Sequence, residues 1–135
     1  MAPRQQGFTI LEVLVAFLVA ALLLTTILSG FASGMTGLFR ADRYSVAALV
    51  AQSRMAEVGI TEALKPGSYQ GRDSADPDYS WRVEVSPLDW DYAGRFAEMG
   101  GTLYRVKVSV FWQGGGRDNV FALTSLRGAV EAVAP

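Results

Sequence analysis

An acidic residue precedes a long apolar segment near the N-terminus. Residues 13–39 form a run of 27 positions without a charged side chain, and Glu12 stands immediately before it. About 20 apolar residues are enough for a helix to cross a hydrocarbon core about 30 Å thick, so this run predicts a transmembrane helix. An ionised carboxylate in such a helix costs about 2.5–3.5 kcal/mol on insertion scales, so Glu12 needs a cationic partner.

The partner of Glu12 is not obvious among the basic side chains, since the nearest in sequence are Arg4 and Arg40. Cleavage of the chain after Gly7 would create an α-ammonium group on Phe8, four residues before Glu12 and on the same helical face. This amine could pair with Glu12 of its own chain or with that of a neighbouring chain in the membrane. Both pairings stay open, and both make the carboxylate tolerable.

Two simpler interpretations of the N-terminus are available. A cleaved secretory signal peptide would use the suitably spaced small residues Gly30 and Ala32, but the apolar run is longer than the 7–15 residues typical of a signal-peptide core. A plain signal anchor accounts for the run and leaves Glu12 unexplained. In either case the short leader with Arg4 favours a cytoplasmic N-terminus and a translocated C-terminal part.

The segment "GFTILEVLVA" resembles the N-terminal motif of type IV pilins and of type II secretion pseudopilins. In that family a prepilin peptidase cuts after the glycine and methylates the new N-terminal residue. The resemblance implies that Gly7 is the cleavage-site glycine, Phe8 the N-methylated terminus and Glu12 the conserved acid of the motif. We expect the pairing of Glu12 with an ammonium group to set the axial register of assembled chains.

The organisation expected from this resemblance and from the apolar pattern has four parts. They are a cleaved leader over 1–7, a transmembrane helix over 8–39, a continuation of that helix over 40–65 and a globular β domain over 66–135. Tyr44, Ala48, Ala51, Met55 and Val58 recur at helical spacing, which predicts the face that packs on the protein's own sheet. The prolyl residue at 66 is expected to end the helix.

Three later segments alternate between apolar and polar residues, as half-buried strands do. They are "WRVEVSP" at 81–87, "TLYRVKVSVFW" at 102–112 and "NVFALTSL" at 119–126, and "QGGGRD" joins the last two as a hairpin. Residues 67–80 are rich in Gly, Ser, Asp and Pro and predict a loop. The predicted fold is therefore α+β and pilin-like, with a long N-terminal helix, transmembrane in its first half, packed on an antiparallel sheet of about three strands.

Small residues interrupt the apolar helix. Gly30 and Gly34 have the spacing that lets two helices approach closely, which makes them a possible helix–helix contact. The same glycines, together with Gly37, could instead mark a place where the helix softens, because each costs up to about 1 kcal/mol relative to alanine. The sequence favours neither interpretation.

Nothing in the composition indicates catalysis, a cofactor or a metal site. The chain has no histidine and no cysteine, and it has no basic surplus for nucleic acid. Acidic residues form two groups in predicted loops. One group is Asp73, Asp76 and Asp78, and the other is Asp89 and Asp91. Neither has the spacing of an EF-hand calcium loop, so both are better interpreted as solvated loop acids. Trp90, Tyr92 and Phe96 share a loop, where they either cap the core of the sheet or contribute to an interface.

Within the family, "LEVLVA" and "ALVAQSRMAEVGI" resemble minor pseudopilins of the GspI type. That resemblance implies a single-pass protein of the inner membrane whose C-terminal domain is periplasmic and which is incorporated into the pseudopilus tip. The implied partners are the J, K, H and major pseudopilins, the prepilin peptidase and inner-membrane lipid. A PilV-like minor pilin of a type IV pilus is the alternative, and a signal-anchored domain with a small ligand is a third possibility.

Overall fold

The computed structural model describes residues 6–61, 64–88 and 94–130. In chain order the elements are α1 (Ile10–Glu57), β1 (Gly67–Arg72), β2 (Tyr79–Leu88), α2 (Gly94–Glu98), β3 (Gly101–Gly114) and β4 (Arg117–Val130). The chain divides into two units, residues 1–42 and residues 43–135. Each unit is described separately.

The described part of the first unit consists of a short N-terminal stretch and the beginning of α1. Leu and Ala, which are good helix formers, make up much of its sequence. Four of its hydroxyl groups bond to the helix backbone, since those of Thr25, Thr26, Ser33 and Thr36 each donate to the carbonyl four residues earlier at 2.8–3.0 Å. These hydroxyls therefore bring no unsatisfied donor into an otherwise apolar surface.

The helix ends at Glu57, before the predicted limit at residue 65. Gly59 adopts a φ of 84°, and the amides of Ile60 and Thr61 both donate to the Glu57 carbonyl at 3.1 and 3.0 Å. A glycine in the left-handed conformation just past the last turn is a common helix stop, because it alone adopts that conformation without a steric cost. The prediction that Pro66 ends the helix is therefore wrong, since the helix ends at Glu57 and Gly59 provides the stop.

The second unit contains one antiparallel sheet with the order β1-β2-β3-β4. The three predicted strands lie inside β2, β3 and β4, and each is longer than its predicted range. Gly115 and Gly116 join β3 to β4 with φ values of 63° and 71°. Two positive φ angles in a two-residue connection suit the twist of a tight hairpin, so the predicted hairpin is confirmed.

The sheet has one strand more than predicted, because β1 occupies part of the segment interpreted as a loop. It pairs with β2 over six residues, with Gly71 opposite Trp81. A β-carbon at Gly71 would lie 2.6 Å from the Trp81 ring, so this glycine makes room for an indole and does not mark a turn. Tyr69 stacks edge-on against Trp81 at 6.0 Å between ring centroids.

The core of the second unit lies between the last turns of α1 and one face of the sheet. Its buried members are Ala47, Val50, Ala51, Met55, Val58, Tyr79, Val83, Val85, Val106, Val108, Val110 and Trp112. The predicted inward alternation of the strands is confirmed, and so is the α+β fold. On the helix the buried face is turned slightly from the predicted one, since Ala47 is buried and Ala48 is only half-buried.

Two polar contacts fasten this part of α1 to the sheet. The Arg127 guanidinium on β4 donates to the Met55 carbonyl at 3.1 Å, and the Tyr79 hydroxyl on β2 donates to the Arg43 carbonyl at 3.3 Å. Tyr44 also meets Trp112 edge-on at 4.8 Å between ring centroids. Arg127 thereby satisfies a carbonyl near the C-terminal end of the helix, which otherwise lacks an intrahelical donor.

Candidate functional site

The N-terminal motif lies where irregular backbone passes into helix. Residues 6–9 precede α1, which begins at Ile10. The Thr9 hydroxyl accepts a hydrogen bond from the Glu12 backbone amide at 3.2 Å, and the Thr9 carbonyl accepts one from the Val13 amide at 3.2 Å. Thr9 is therefore the N-cap of the helix. Sequence analysis missed this residue, although the pattern "TILE" matches the capping-box spacing that would have revealed it.

The Gly7–Phe8 peptide lies outside the helix. Gly7 is exposed, and a β-carbon built on it would meet no heavy atom within 4 Å. The Phe8 side chain is 84% exposed. Exposed backbone that takes part in no helical hydrogen bond is the kind of segment that peptidases reach most easily. The cap at Thr9 sets this boundary, because it begins the helix two residues after the peptide bond in question.

Glu12 lies in the first turn of α1 and is exposed. A carboxylate is favoured at this end of a helix, where unpaired backbone amides carry partial positive charge. Among the described residues, no cationic side chain forms an ion pair with it. The geometry therefore leaves the Glu12 carboxylate able to accept an ammonium group.

The segment that follows Glu12 has the length and composition of a membrane-spanning helix. Among the described residues, α1 is the one helix that meets these criteria. Its large apolar side chains are exposed in the first unit, among them Leu22 at 62% and Phe31 at 69%. Gly30 and Gly34 also lie there with open space where a β-carbon would be, and their spacing of four places them on one face of the helix.

The acidic loop between β1 and β2 uses its carboxylates as turn caps. Asp73 accepts hydrogen bonds from the amides of Ala75 and Asp76, both at 3.1 Å, and Asp76 accepts one from the amide of Asp78 at 3.1 Å. Within the described ranges no three acidic, histidine or cysteine residues come together as a metal site would require. Asp89 and Asp91 lie outside the described residues.

The aromatic loop is described only in part, because Trp90 and Tyr92 lie outside the described residues. Phe96 belongs to α2 and packs on the sheet face opposite α1. A β-carbon at Gly101 would lie 2.5 Å from its ring, and one at Gly128 would lie 2.9 Å away. The two glycines thus form a flat surface for the Phe96 ring, which covers one end of that face and lies outside the main core.

The comparisons with known proteins agree with this geometry. Residues 2–28 match the model of the prokaryotic N-terminal methylation motif. Over 86 residues the chain is 36% identical to a protein of Xanthomonas campestris pv. campestris named type II secretion system protein I. The match covers 64% of this chain and 62% of that relative's length. No solved structure matches significantly.

The methylation motif covers the exposed Gly7–Phe8 peptide, the cap at Thr9 and the acid at Glu12, and it continues into the apolar part of α1. The similarity to protein I is longer than that motif, since it extends over 86 residues. The chain thus carries a prokaryotic N-terminal methylation motif, and its predicted resemblance to protein I of type II secretion systems is confirmed.

Proposed function

We propose that this chain is a minor pseudopilin of a type II secretion system. In this proposal the prepilin peptidase removes residues 1–7 and methylates Phe8, and α1 anchors the mature protein in the inner membrane. The second unit then lies in the periplasm. The observation that carries the proposal is an exposed, non-helical Gly7–Phe8 peptide directly before a capped apolar helix, in a chain similar to a secretion-system protein I.

The proposed role is structural, in the tip of a pseudopilus together with the J, K and H pseudopilins and next to the major pseudopilin. The exposed apolar surface of the first unit supports this role, because such a helix is stable only among lipid tails or against other helices. Packing between helices in a membrane depends on close contact, which the open face at Gly30 and Gly34 permits. The chain acts here as a building element and catalyses no reaction.

A minor pilin of a type IV pilus is the second candidate, since such proteins share the processing motif. The name of the Xanthomonas relative favours the secretion system. The neighbouring genes distinguish the two. A secretin and a major pseudopilin of the secretion type support our proposal, whereas a retraction motor and pilus subunits would support the alternative.

The N-terminus of the mature protein tests the proposal directly. We expect mass spectrometry of the protein from cell envelopes to find a chain that begins at Phe8 and carries one added methyl group. Without the prepilin peptidase the chain should retain residues 1–7. Replacing Gly7 with a large residue should block cleavage, whereas Gly30→Ala, at a glycine outside the cleavage site, should leave it unchanged. A functional chain that begins at Met1 or near Ser33 would contradict the proposal.

A further inference from the structure

A shallow cleft lies on the sheet face opposite α1, in the second unit. Its volume is about 340 Å³, and its lining includes Gln70, Arg72, Ser80, Arg82 and Phe111. The strand register explains how they meet, because Gln70 lies opposite Arg82, Arg72 opposite Ser80, and Ser80 opposite Phe111. Three adjacent strands thus place two arginines around one aromatic ring.

Arg82 is held in place by neutral groups. Its Nε and Nη2 atoms both donate to the Gln70 side-chain oxygen, at 3.3 and 3.2 Å. Its guanidinium lies 5.6 Å from the centroid of the Phe111 ring. Because neither partner carries a charge, Arg82 is oriented while its positive charge is left uncompensated. An arginine fixed in this way loses little conformational entropy when it binds an anion.

Arg72 adds a second uncompensated charge. It is exposed, and within the described residues no carboxylate lies within 4.0 Å of its guanidinium or that of Arg82. Two residues that are diagonal neighbours on one sheet face lie about 7–8 Å apart, so these two cations repel each other. Asp78 and Asp118 line an adjoining groove with Arg72. Glu84 lies two positions after Arg82 on the same face of β2, opposite Lys107, and forms no ion pair with Arg82. Asp118 already accepts a hydrogen bond from Gln113.

We infer that this cleft binds an acidic side chain, next to an apolar one, from a neighbouring protein subunit. A carboxylate between the two arginines would remove their repulsion and form charge-assisted hydrogen bonds with both. An apolar neighbour would pack on Phe111 and on Val120, which lies opposite Phe111 on β4 and is 52% exposed. This juxtaposition of cations and apolar surface fits a protein segment better than free phosphate. The inference rests on the proposed function only for the identity of the neighbouring subunits.

A peptide probe tests the cleft with the full chain in a neutral detergent. The probe is a fluorescent heptapeptide that alternates glutamate with leucine, and its counterpart carries glutamine in place of glutamate. We expect fluorescence anisotropy to show at least ~10-fold tighter binding of the acidic peptide at low salt, with affinity falling as salt rises. The double variant Arg72→Gln/Arg82→Gln should lose at least ~10-fold in affinity, while Arg95→Gln, at an exposed arginine on α2, should stay within about 2-fold.

Several results would overturn the inference. Equal binding of the two peptides, or unchanged binding by the double variant, would remove the charge argument. Displacement of the acidic peptide by millimolar inorganic phosphate would indicate a simple anion site. If the two arginines instead govern contact with phosphatidylglycerol in a reconstituted bilayer, the face meets lipid and the protein-docking inference fails.

Separate controls distinguish a failure to fold, a failure of the proposed function and a failure of this inference. Should the double variant unfold, Arg72→Gln alone carries the test, because Arg72 makes no side-chain hydrogen bond or ion pair among the described residues. Cleavage after Gly7 plays no part in peptide binding. A chain that binds the peptide and is never cleaved after Gly7 would therefore contradict the proposed function alone. A cleaved chain that does not bind the peptide would contradict this inference alone.

Discussion

The two units of this chain solve the problem of apolar surface in opposite ways. In the first, described from residue 6 to residue 42, every side chain is exposed, including a long series of Leu, Val and Phe. In the second, valines from β2 and β3 and Trp112 are buried against the last turns of α1. The second unit supplies its own apolar environment, whereas the first has to obtain one from lipid or from other helices.

This difference separates stability from assembly. Burial of an apolar side chain contributes about 1.5–3 kcal/mol to folding, so the second unit depends on the close fit of its core. The side chains of the first unit gain nothing of that kind within one chain. Substitutions there should therefore change insertion and association, while substitutions in the core should change the free energy of unfolding.

The largest expected effect is that of Trp112→Ala. This ring is buried and touches both Tyr44 and Tyr79, so its loss should lower the free energy of unfolding of the second unit by about 3–5 kcal/mol. Urea unfolding of the full chain in detergent, followed by the fluorescence of the remaining tryptophans, measures this change.

The matched control is Leu22→Ala, which also truncates a large apolar side chain of the full protein. Because Leu22 is 62% exposed, we expect its effect on the same unfolding transition to stay within about 0.5 kcal/mol. If Leu22→Ala destabilised the second unit as strongly as Trp112→Ala, the contrast between the two units would be wrong.

Glu12→Gln should weaken the assembly that depends on the first unit and leave the stability of the second unit unchanged. A carboxylate paired with an ammonium group in a poorly hydrated setting makes a hydrogen bond worth about 1.5–3 kcal/mol, and the amide cannot replace its charge. We therefore expect recovery of the chain with its proposed pseudopilin partners from solubilised envelopes to fall at least ~10-fold, equivalent to about 1.4 kcal/mol. Unfolding of the second unit should not change.

Asp42→Asn is the control for that substitution, because it neutralises another exposed acid of α1 beyond the charge-free run. It should leave recovery of the complex unchanged. Undiminished assembly of the Glu12→Gln protein would show that the carboxylate does not pair across or within chains, and the predicted register role would have to be abandoned.

Local patterns predicted most of this fold, and the misses have physical causes. Alternation identified β2, β3 and β4, because one face of each strand is less exposed than the other: buried residues lie on that face in β2 and β3, and half-buried ones in β4. Alternation does not reveal β1, because its inward positions include Gly67 and Gly71, whose absent side chains leave no apolar pattern. The helix ends earlier than predicted because Gly59 caps it, and a glycine there costs nothing in the left-handed conformation.

The candidate sites also differ in how far the sequence predicts them. The processing motif is contiguous in sequence, so the sequence alone is enough to select Gly7, Phe8 and Glu12 as candidates. It is not enough for the arginine cleft, because Arg72, Arg82 and Phe111 meet only through the register of three strands. The bond from Arg127 to the Met55 carbonyl spans 72 positions and leaves no local pattern either. Contacts between distant segments depend on the topology of the sheet.

The smallest expected effect concerns the cap of α1. Thr9→Val keeps the shape of the side chain and removes the hydroxyl that accepts the Glu12 amide, which should cost about 1 kcal/mol of helix stability at the first turn. Because this loss is confined to the end of the helix, we expect faster hydrogen exchange at the Glu12 amide, by about 5-fold, since 1 kcal/mol corresponds to roughly that factor in an opening equilibrium. Thr9→Ser retains the hydroxyl and should exchange as the wild type does. Exchange in the second unit should be the same in all three proteins, since its stability comes from its own core; a change there would mean that the two units are coupled more strongly than their separate packing implies.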